Sequence, residues 1–198
     1  MGHKYAELAF TETIRKLQEI DGSRQSYARM EAGEDSHNVL SEREAAFIGM
    51  RDSYYMATVS ETGWPYIQHR GGPKGFVQVI DEHTLGVPDF SGNRQFVTVG
   101  NLQHDGRVSL FFMDYPNRAR LKVLGRVRTT TDPDILARLS PPAYRAGIER
   151  VFLIDIAAFD WNCPQHITPR FTAEDVEAVV SPLRARIAEL EAVLALPD

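Results

Sequence analysis

A single cysteine, Cys163, occurs in the 198 residues. One thiol excludes an internal disulfide framework and any zinc site built from cysteines, and it suits a reducing compartment. No apolar run approaches the roughly 18 residues that a membrane-crossing helix needs. Positive charge is in deficit: 22 Lys and Arg face 27 Asp and Glu, a net charge of −5. That balance argues against a general nucleic-acid coat protein, which needs a basic field, but leaves room for a local basic pocket. No two of the 6 histidines stand at i,i+3 or i,i+4, so no helical His pair is available for a metal. His3 with Glu7, and Glu34 with His37, have helical spacing to a carboxylate, but two ligands do not make a site. His69, His104 and His166 carry no spacing that brings them together, and no metal is expected. GxGxxG and Walker loops are missing, because Gly71-Gly72 lacks their spacing. Internal repeats and low-complexity tracts are also missing. The first 18 residues carry charge throughout and lack the apolar core of a signal peptide, so a cytoplasmic protein is expected.

What is present is ordinary globular composition, 43% hydrophobic and 25% charged, at a length for one domain with helical additions. Ala6, Phe10, Ile14 and Leu17 recur at helical spacing and predict a helix over 3–20 that Asp21-Gly22 ends. A short helix is expected over 24–30, and a loop from Glu31 to Asn38. Ser41 with Glu44 is a capping-box pattern opening a third helix. From residue 53 the period changes to two. Strands are predicted over 54–59, 65–69, 77–80, 84–87, 107–113, 121–130 and 151–159, with 96–101 undecided between helix and strand. In the sixth of these, Leu121, Val123 and Val127 share one face and Lys122, Arg126 and Arg128 the other. Short strands at this spacing predict an antiparallel barrel or sandwich. Asp132-Pro133 opens a helix before the last strand. Thr172 and Asp175 cap another, which Ser181-Pro182 is expected to restart. Leu183, Ile187, Leu190 and Leu194 then form a short apolar seam, expected to pack on the body or on a partner subunit. The expected organisation is a helical preface over 1–52, a barrel over 53–170, and C-terminal helices over 171–198.

Three segments carry chemistry. Gln68-His69-Arg70-Gly71-Gly72 ends a strand in a cation and two glycines, which permit positive φ and close approach of amides to a ligand. Asp89-Phe90-Ser91-Gly92-Asn93-Arg94-Gln95 supplies hydroxyl, amide and guanidinium donors of the kind a phosphate needs. Each also reads as an ordinary polar turn, but two Gly/Arg loops after strands favour a shared anion site. Asn162-Cys163-Pro164-Gln165-His166-Ile167-Thr168-Pro169 is stiffened by prolines and suited to lie along a flat aromatic ligand, or to serve as a rigid connector. Arg118, Arg120, Lys122, Arg126 and Arg128 make a basic stripe on one strand face.

Taken together, Gly63-Trp64-Pro65-Tyr66-Ile67-Gln68-His69-Arg70-Gly71-Gly72-Pro73, Asp89 to Gln95, Met113-Asp114-Tyr115-Pro116-Asn117-Arg118 and Asn162 to Ile167 resemble the pyridoxamine 5′-phosphate oxidase-like superfamily, and within it an uncharacterised flavin-binding branch. The resemblance covers about residues 40–170. It implies a mainly β fold with flanking helices, an antiparallel split β-barrel that binds FMN at a homodimer interface. His69, Arg70 and Gly71 match the strand end beside the flavin and its phosphate. Ser91, Asn93, Arg94 and Gln95 match the phosphate-holding segment. Arg120 and Lys122 match a strand reaching the flavin from the other subunit, and Gln165, His166 and Thr168 the segment near the isoalloxazine ring. The arginine-rich tail of true pyridoxamine phosphate oxidases is replaced here by Pro-Gln-His-Ile-Thr-Pro and helices, so vitamin B6 is not the expected substrate. The resemblance implies an FMN-dependent oxidoreductase taking hydride from a nicotinamide cofactor or a small organic donor, with no dedicated acid or base assigned. The alternative is a non-catalytic holder of flavin or another flat ligand such as haem. No nucleic-acid or membrane partner is expected.

Overall fold

The computed structural model describes residues 2–33, 36–142, 144–161 and 163–195. Glu34 of the carboxylate–histidine pair and Asn162 of the late motif lie outside the described residues. The chain divides into two compact units, Met1–Met113 with Arg120–Cys163, and Asp114–Ala119 with Pro164–Asp198.

The first unit opens with α1 (Lys4–Ala9), α2 (Glu12–Asp21), α3 (Arg24–Glu31) and α4 (Glu42–Gly49). The predicted helix over 3–20 is two helices. Phe10 leaves the helical region at φ −91°, ψ 79°, and the Thr11 hydroxyl accepts from the Ile14 amide to start α2. The apolar period runs through the break although the two helices do not bury one stripe: Ala6 is buried in α1, whereas Ile14 and Leu17 of α2 are exposed, and Thr11 between them is a good cap. Gly22, in the left-handed region at φ 80°, closes α2 as its sequence position implies.

Strands follow as β1 (Ser53–Val59), β2 (Pro65–Gly71), β3 (Gln78–Asp81) and β4 (Thr84–Phe90). Then come α5 (Val97–His104), β5 (Arg107–Asp114), β6 (Ala119–Thr130), α6 (Pro133–Leu139) and β7 (Ile148–Trp161). The undecided stretch at 96–101 is therefore helical. The seven strands form one sheet in the order β2-β1-β5-β6-β7-β4-β3, the antiparallel split barrel with flanking helices. Alternation builds the core: Tyr54 and Met56 of β1, Leu110 and Phe112 of β5, Leu121 and Val123 of β6, and Phe152 and Ile154 of β7 all point inward. A bulge shifts the β6–β7 register between Leu124 and Gly125. A Cβ on Gly125 would stand 2.7 Å from Ile154 Cγ2 and 2.9 Å from the Asp155 carbonyl, so only glycine allows the strands to approach there.

The Ser41–Glu44 capping box closes as predicted, and it reaches further than sequence showed. Glu44 Oε2 accepts from the Ser41 amide and hydroxyl at 3.1 and 2.5 Å, while Oε1 accepts from Trp161 Nε1 at 2.6 Å. One carboxylate thus caps α4 and ties it to the end of β7. Burial, the largest single influence, pushes the Glu44 carboxyl up, but the hydrogen bonds from Ser41 and Trp161 outweigh it and the net direction is down. A depressed folded value adds stability above the ordinary glutamate range, and that stability is lost as pH falls through the folded value. Glu44→Gln is expected to lower stability at pH 7 by about 1–3 kcal/mol, because each bond to a charged acceptor is lost or weakened. The deficit should shrink in acid, below about pH 4.3. Urea midpoints of both proteins between neutral and acid pH check this; a deficit that does not change with pH would show that the Glu44 charge is not what matters.

The second unit holds the β5–β6 turn and α7 (Ala173–Leu194). In that turn Asp114 Oδ1 accepts from the Asn117 amide at 3.0 Å, and Arg170 stacks 4.7 Å above the Tyr115 ring. The Thr172–Asp175 capping box opens α7 as predicted. Pro182 does not restart the helix, which runs unbroken through it for 22 residues.

Candidate functional site

Strand β2 alternates one face inward and one outward, so Tyr66, Gln68 and Arg70 share a face and His69 and Gly71 take the other. The first face forms one wall of a pocket. Gly92, Asn93, Arg94 and Gln95, which follow β4, form the second wall, and Phe96 to Val99 at the start of α5 form the third. Arg70, Asn93, Arg94 and Gln95 are therefore brought together from two distant segments.

Local backbone chemistry shapes the second wall. Asn93 Oδ1 accepts from the Gln95 amide at 3.2 Å, a side-chain-closed turn. Arg94 and Phe96 hold left-handed backbone, at φ 61° and 57°. Such conformations are costly for residues with a Cβ and concentrate at binding sites. Phe96, the residue before α5, offers no side-chain acceptor to the first-turn amides, so these amides are uncapped donors in a turn whose residues line the pocket, with the helix dipole behind them. The predicted reason for Gly71-Gly72 is different in the fold: neither has positive φ. A Cβ on Gly72 would meet Phe76 at 2.7 Å and Phe90 at 2.9 Å, so glycine is there to admit two rings.

The pocket floor is a charge network. Asp89 Oδ1 accepts from Arg70 Nη1 at 2.6 Å, and Asp89 Oδ2 lies 3.2 Å from Arg150 Nε. Arg150 also pairs with Glu149 at 2.6 Å. Arg70 lies 4.8 Å above the Phe152 ring, and its Nη2 reaches Gln68 at 3.4 Å. Gln68 Oε1 accepts from the Thr98 hydroxyl at 2.7 Å, joining β2 to α5. Arg70 Nε and the Tyr54 hydroxyl are buried without a hydrogen-bond partner among the described residues. Burial, and less so Asp89, pushes the Tyr54 phenol well above its ordinary value against the opposing pull of Arg70. Tyr54 is therefore a neutral phenol at physiological pH. Arg94 differs from the other two guanidinium groups. It is exposed and pairs with no carboxylate among the described residues.

The remaining expected site residues lie elsewhere. His69 meets the Tyr55 ring edge-on at 5.4 Å, on the outer face of the β1–β2 hairpin, and Gly71 is beside it. Ser91 donates its amide to the Gly147 carbonyl at 2.8 Å, next to the pocket wall. Lys122 pairs with Asp160 at 3.0 Å and stacks 4.6 Å from the Tyr5 ring. Burial lowers its ammonium value, but Tyr5 and Asp160 together outweigh burial and the net direction is up. Arg120, next to it, has a buried Nε without a hydrogen-bond partner among the described residues. Arg128 pairs with Asp155 at 2.8 Å, so acids on β7 partly neutralise the basic stripe. Gln165, His166 and Thr168 are exposed in the second unit, with His166 at φ 63°. Sequence reading missed Gln68, Thr98 and Asp89 as pocket residues. Period-two alternation through Arg70 would have found Gln68; nothing local marks Thr98.

A split barrel with an anion-type pocket at the end of β2 and the start of a helix defines a class of fold. The chain belongs to the pyridoxamine 5′-phosphate oxidase family, whose sequence model matches residues 40–162. HupZ of Group A Streptococcus superposes with a TM-score of 0.52 at 16% identity, covering 67% of this chain and 99% of that one. An FMN-binding protein from Syntrophomonas wolfei subsp. wolfei superposes at 0.51 with 13% identity, covering 73% of this chain and 97% of that one. At such identities the likeness establishes the fold. No curated protein sequence matches this one. Among the described residues, no helix is long and apolar enough to cross a membrane.

Proposed function

We propose that this protein is an FMN-binding flavoprotein of the cytoplasm that transfers hydride between a nicotinamide cofactor or small organic donor and a second substrate. Arg94 carries this reading: an exposed guanidinium without a carboxylate partner among the described residues, beside the open first turn of α5. The donor set suits a phosphate monoester: Arg94, Asn93 and Gln95 of the loop, the amides at the start of α5, and the orphaned Arg70 Nε behind them. Nothing in the pocket resembles a dinucleotide loop, so FMN rather than FAD is the flavin. Bound flavin supplies the redox chemistry.

The chain's own residues bind and orient. Arg94 and the α5 amides anchor the phosphate, and Gln68 with Thr98 stiffens the wall beside it. By the family resemblance alone, Gln165, His166 and Thr168 are assigned to an isoalloxazine ring edge, and Arg120 and Lys122 to the flavin of a partner subunit. The outer face of the β1–β2 hairpin supports self-association, since Ile67 is 65% exposed and Trp64 76% exposed there.

Purification tests the reading. Yellow protein that bleaches with NADPH or NADH and recolours in air supports the oxidoreductase. Yellow protein indifferent to every hydride donor makes it a flavin holder, and protein that takes up no added FMN sinks the proposal. Arg94→Ala should weaken FMN by roughly ten- to a hundred-fold, the worth of about 1.5–3 kcal/mol for a charge-assisted contact. Riboflavin, without the phosphate, should lose far less. Fluorescence-quenching titrations of both ligands give the ratio, and equal losses would move Arg94 off the phosphate.

A further inference from the structure

Helix α7 has no buried residue along its described length. Its apolar residues nevertheless follow a heptad: Val176, Val180, Leu183, Ile187, Leu190 and Leu194 step by four, three, four, three and four. Leu183 is 58%, Ile187 55% and Leu190 47% exposed. Placing Val176, Leu183 and Leu190 at d puts Val180, Ile187 and Leu194 at a. Pro182 then falls at c, facing away from the seam, and the carbonyl it leaves unbonded, on Ala178, falls at f. Both are on the solvent side, where water satisfies the lost bond. That is why the helix carries a proline without interrupting the stripe.

Two features identify what covers the seam. The central layers pair β-branched residues at a (Val180, Ile187) with leucine at d (Leu183, Leu190), the choice that favours two parallel strands. The flanking charges select the same orientation. Positions e are Glu177, Arg184 and Glu191, and positions g are Val179, Arg186 and Val193. In a parallel pair, g meets e of the next heptad on the other helix, which sets Arg186 against Glu191 twice by symmetry. In an antiparallel pair with the same layers matched, Glu177 would meet Glu191, Arg184 would meet Arg184, and Arg186 would meet Arg186. Apart from Val179 against Val193, every flanking contact would then be between like charges.

We propose that α7 pairs in parallel and in register with α7 of a second copy of this chain, forming a two-stranded coiled coil about three heptads long. The inference stands apart from the flavin reading, because it uses no pocket residue. A coil this short is marginal alone and is sustained by the high local concentration of helices on chains already associated.

Cysteine mapping tests it. In a Cys163→Ser background, Leu190→Cys places a thiol at a d layer and Ala185→Cys one at an outward f position. With oxidised glutathione, the Leu190→Cys chain should form covalent dimers at least about tenfold faster than Ala185→Cys, as expected when two thiols share a layer. A mixture of Val180→Cys and Leu190→Cys chains should give no hetero-disulfide. Equal rates at 190 and 185 overturn the proposal and leave the seam to its own chain or another partner. A Val180–Leu190 cross-link overturns the parallel orientation. Bound flavin is read separately by absorbance, so a colourless protein that cross-links at 190 keeps the coiled coil and loses only the flavin reading.

Discussion

Replacing Asp89 by alanine is expected to lower stability by about 3–5 kcal/mol, the cost of removing the shared partner of buried charges. Asp89 holds two arginines, Arg70 at 2.6 Å and Arg150 at 3.2 Å, and its side chain is only 12% exposed. Alanine leaves both guanidinium groups in a poorly solvated pocket with their donors unspent, although Arg150 keeps Glu149. Asp89→Asn keeps the shape and one acceptor, and should lose less. The same substitution also frees cationic donors for an anion in the pocket. Added inorganic phosphate or FMN should therefore restore more stability to Asp89→Ala than it adds to the natural protein, because a ligand bound only by the folded state stabilises by mass action. Urea unfolding with and without each ligand measures both effects. A loss under about 1 kcal/mol would mean that solvent screens the network as it screens surface pairs.

Phe152→Ala is expected to cost a similar amount, about 3–5 kcal/mol, through a cavity at the centre of the sheet. Phe152 is fully buried on β7, opposite Val87 of β4 and Thr129 of β6, so neither neighbouring strand can close over the gap without breaking register. At this chain length such a loss lowers the melting temperature by roughly 6–20 °C. The ring is also the platform under Arg70, 4.8 Å from its guanidinium. Phe152→Leu separates the two roles: it retains most of the volume at a cost below about 1.5 kcal/mol, yet removes the π face. Calorimetry of the two variants should show a large gap between them. Near-equal melting temperatures would indicate that the Arg70 platform, and not the cavity, dominates.

Local rules worked where the physics is local. Ser41 with Glu44, Asp132 with Pro133 and Thr172 with Asp175 all close as caps, because a cap is settled by atoms within four residues of each other. The strands at 53–59 and 107–114 were legible because one face is buried and the other is not, which writes a period of two into the chain. The same rule read along β2 separates Arg70 from His69 and Gly71, since three consecutive strand residues cannot share a face. The loop after β4 announced its donors by type, though not the left-handed backbone at Arg94 and Phe96 that sets their directions.

The sequence by itself determined most element types, though not the helix over 97–104 or the break at Phe10, together with the caps and the apolar seam of Leu183, Ile187, Leu190 and Leu194, all of which follow from spacing along one chain. Only the tertiary structure decided which charges are spent. Asp89 and Arg70 are 19 residues apart, and Asp89 and Arg150 are joined only because β4 lies against β7. That pairing occupies two of the three arginines around the pocket and leaves Arg94 as the one without a carboxylate partner among the described residues. Whether a guanidinium is a ligand or a brace depends on the acid next to it in space, and spacing along the chain carries no record of that neighbour.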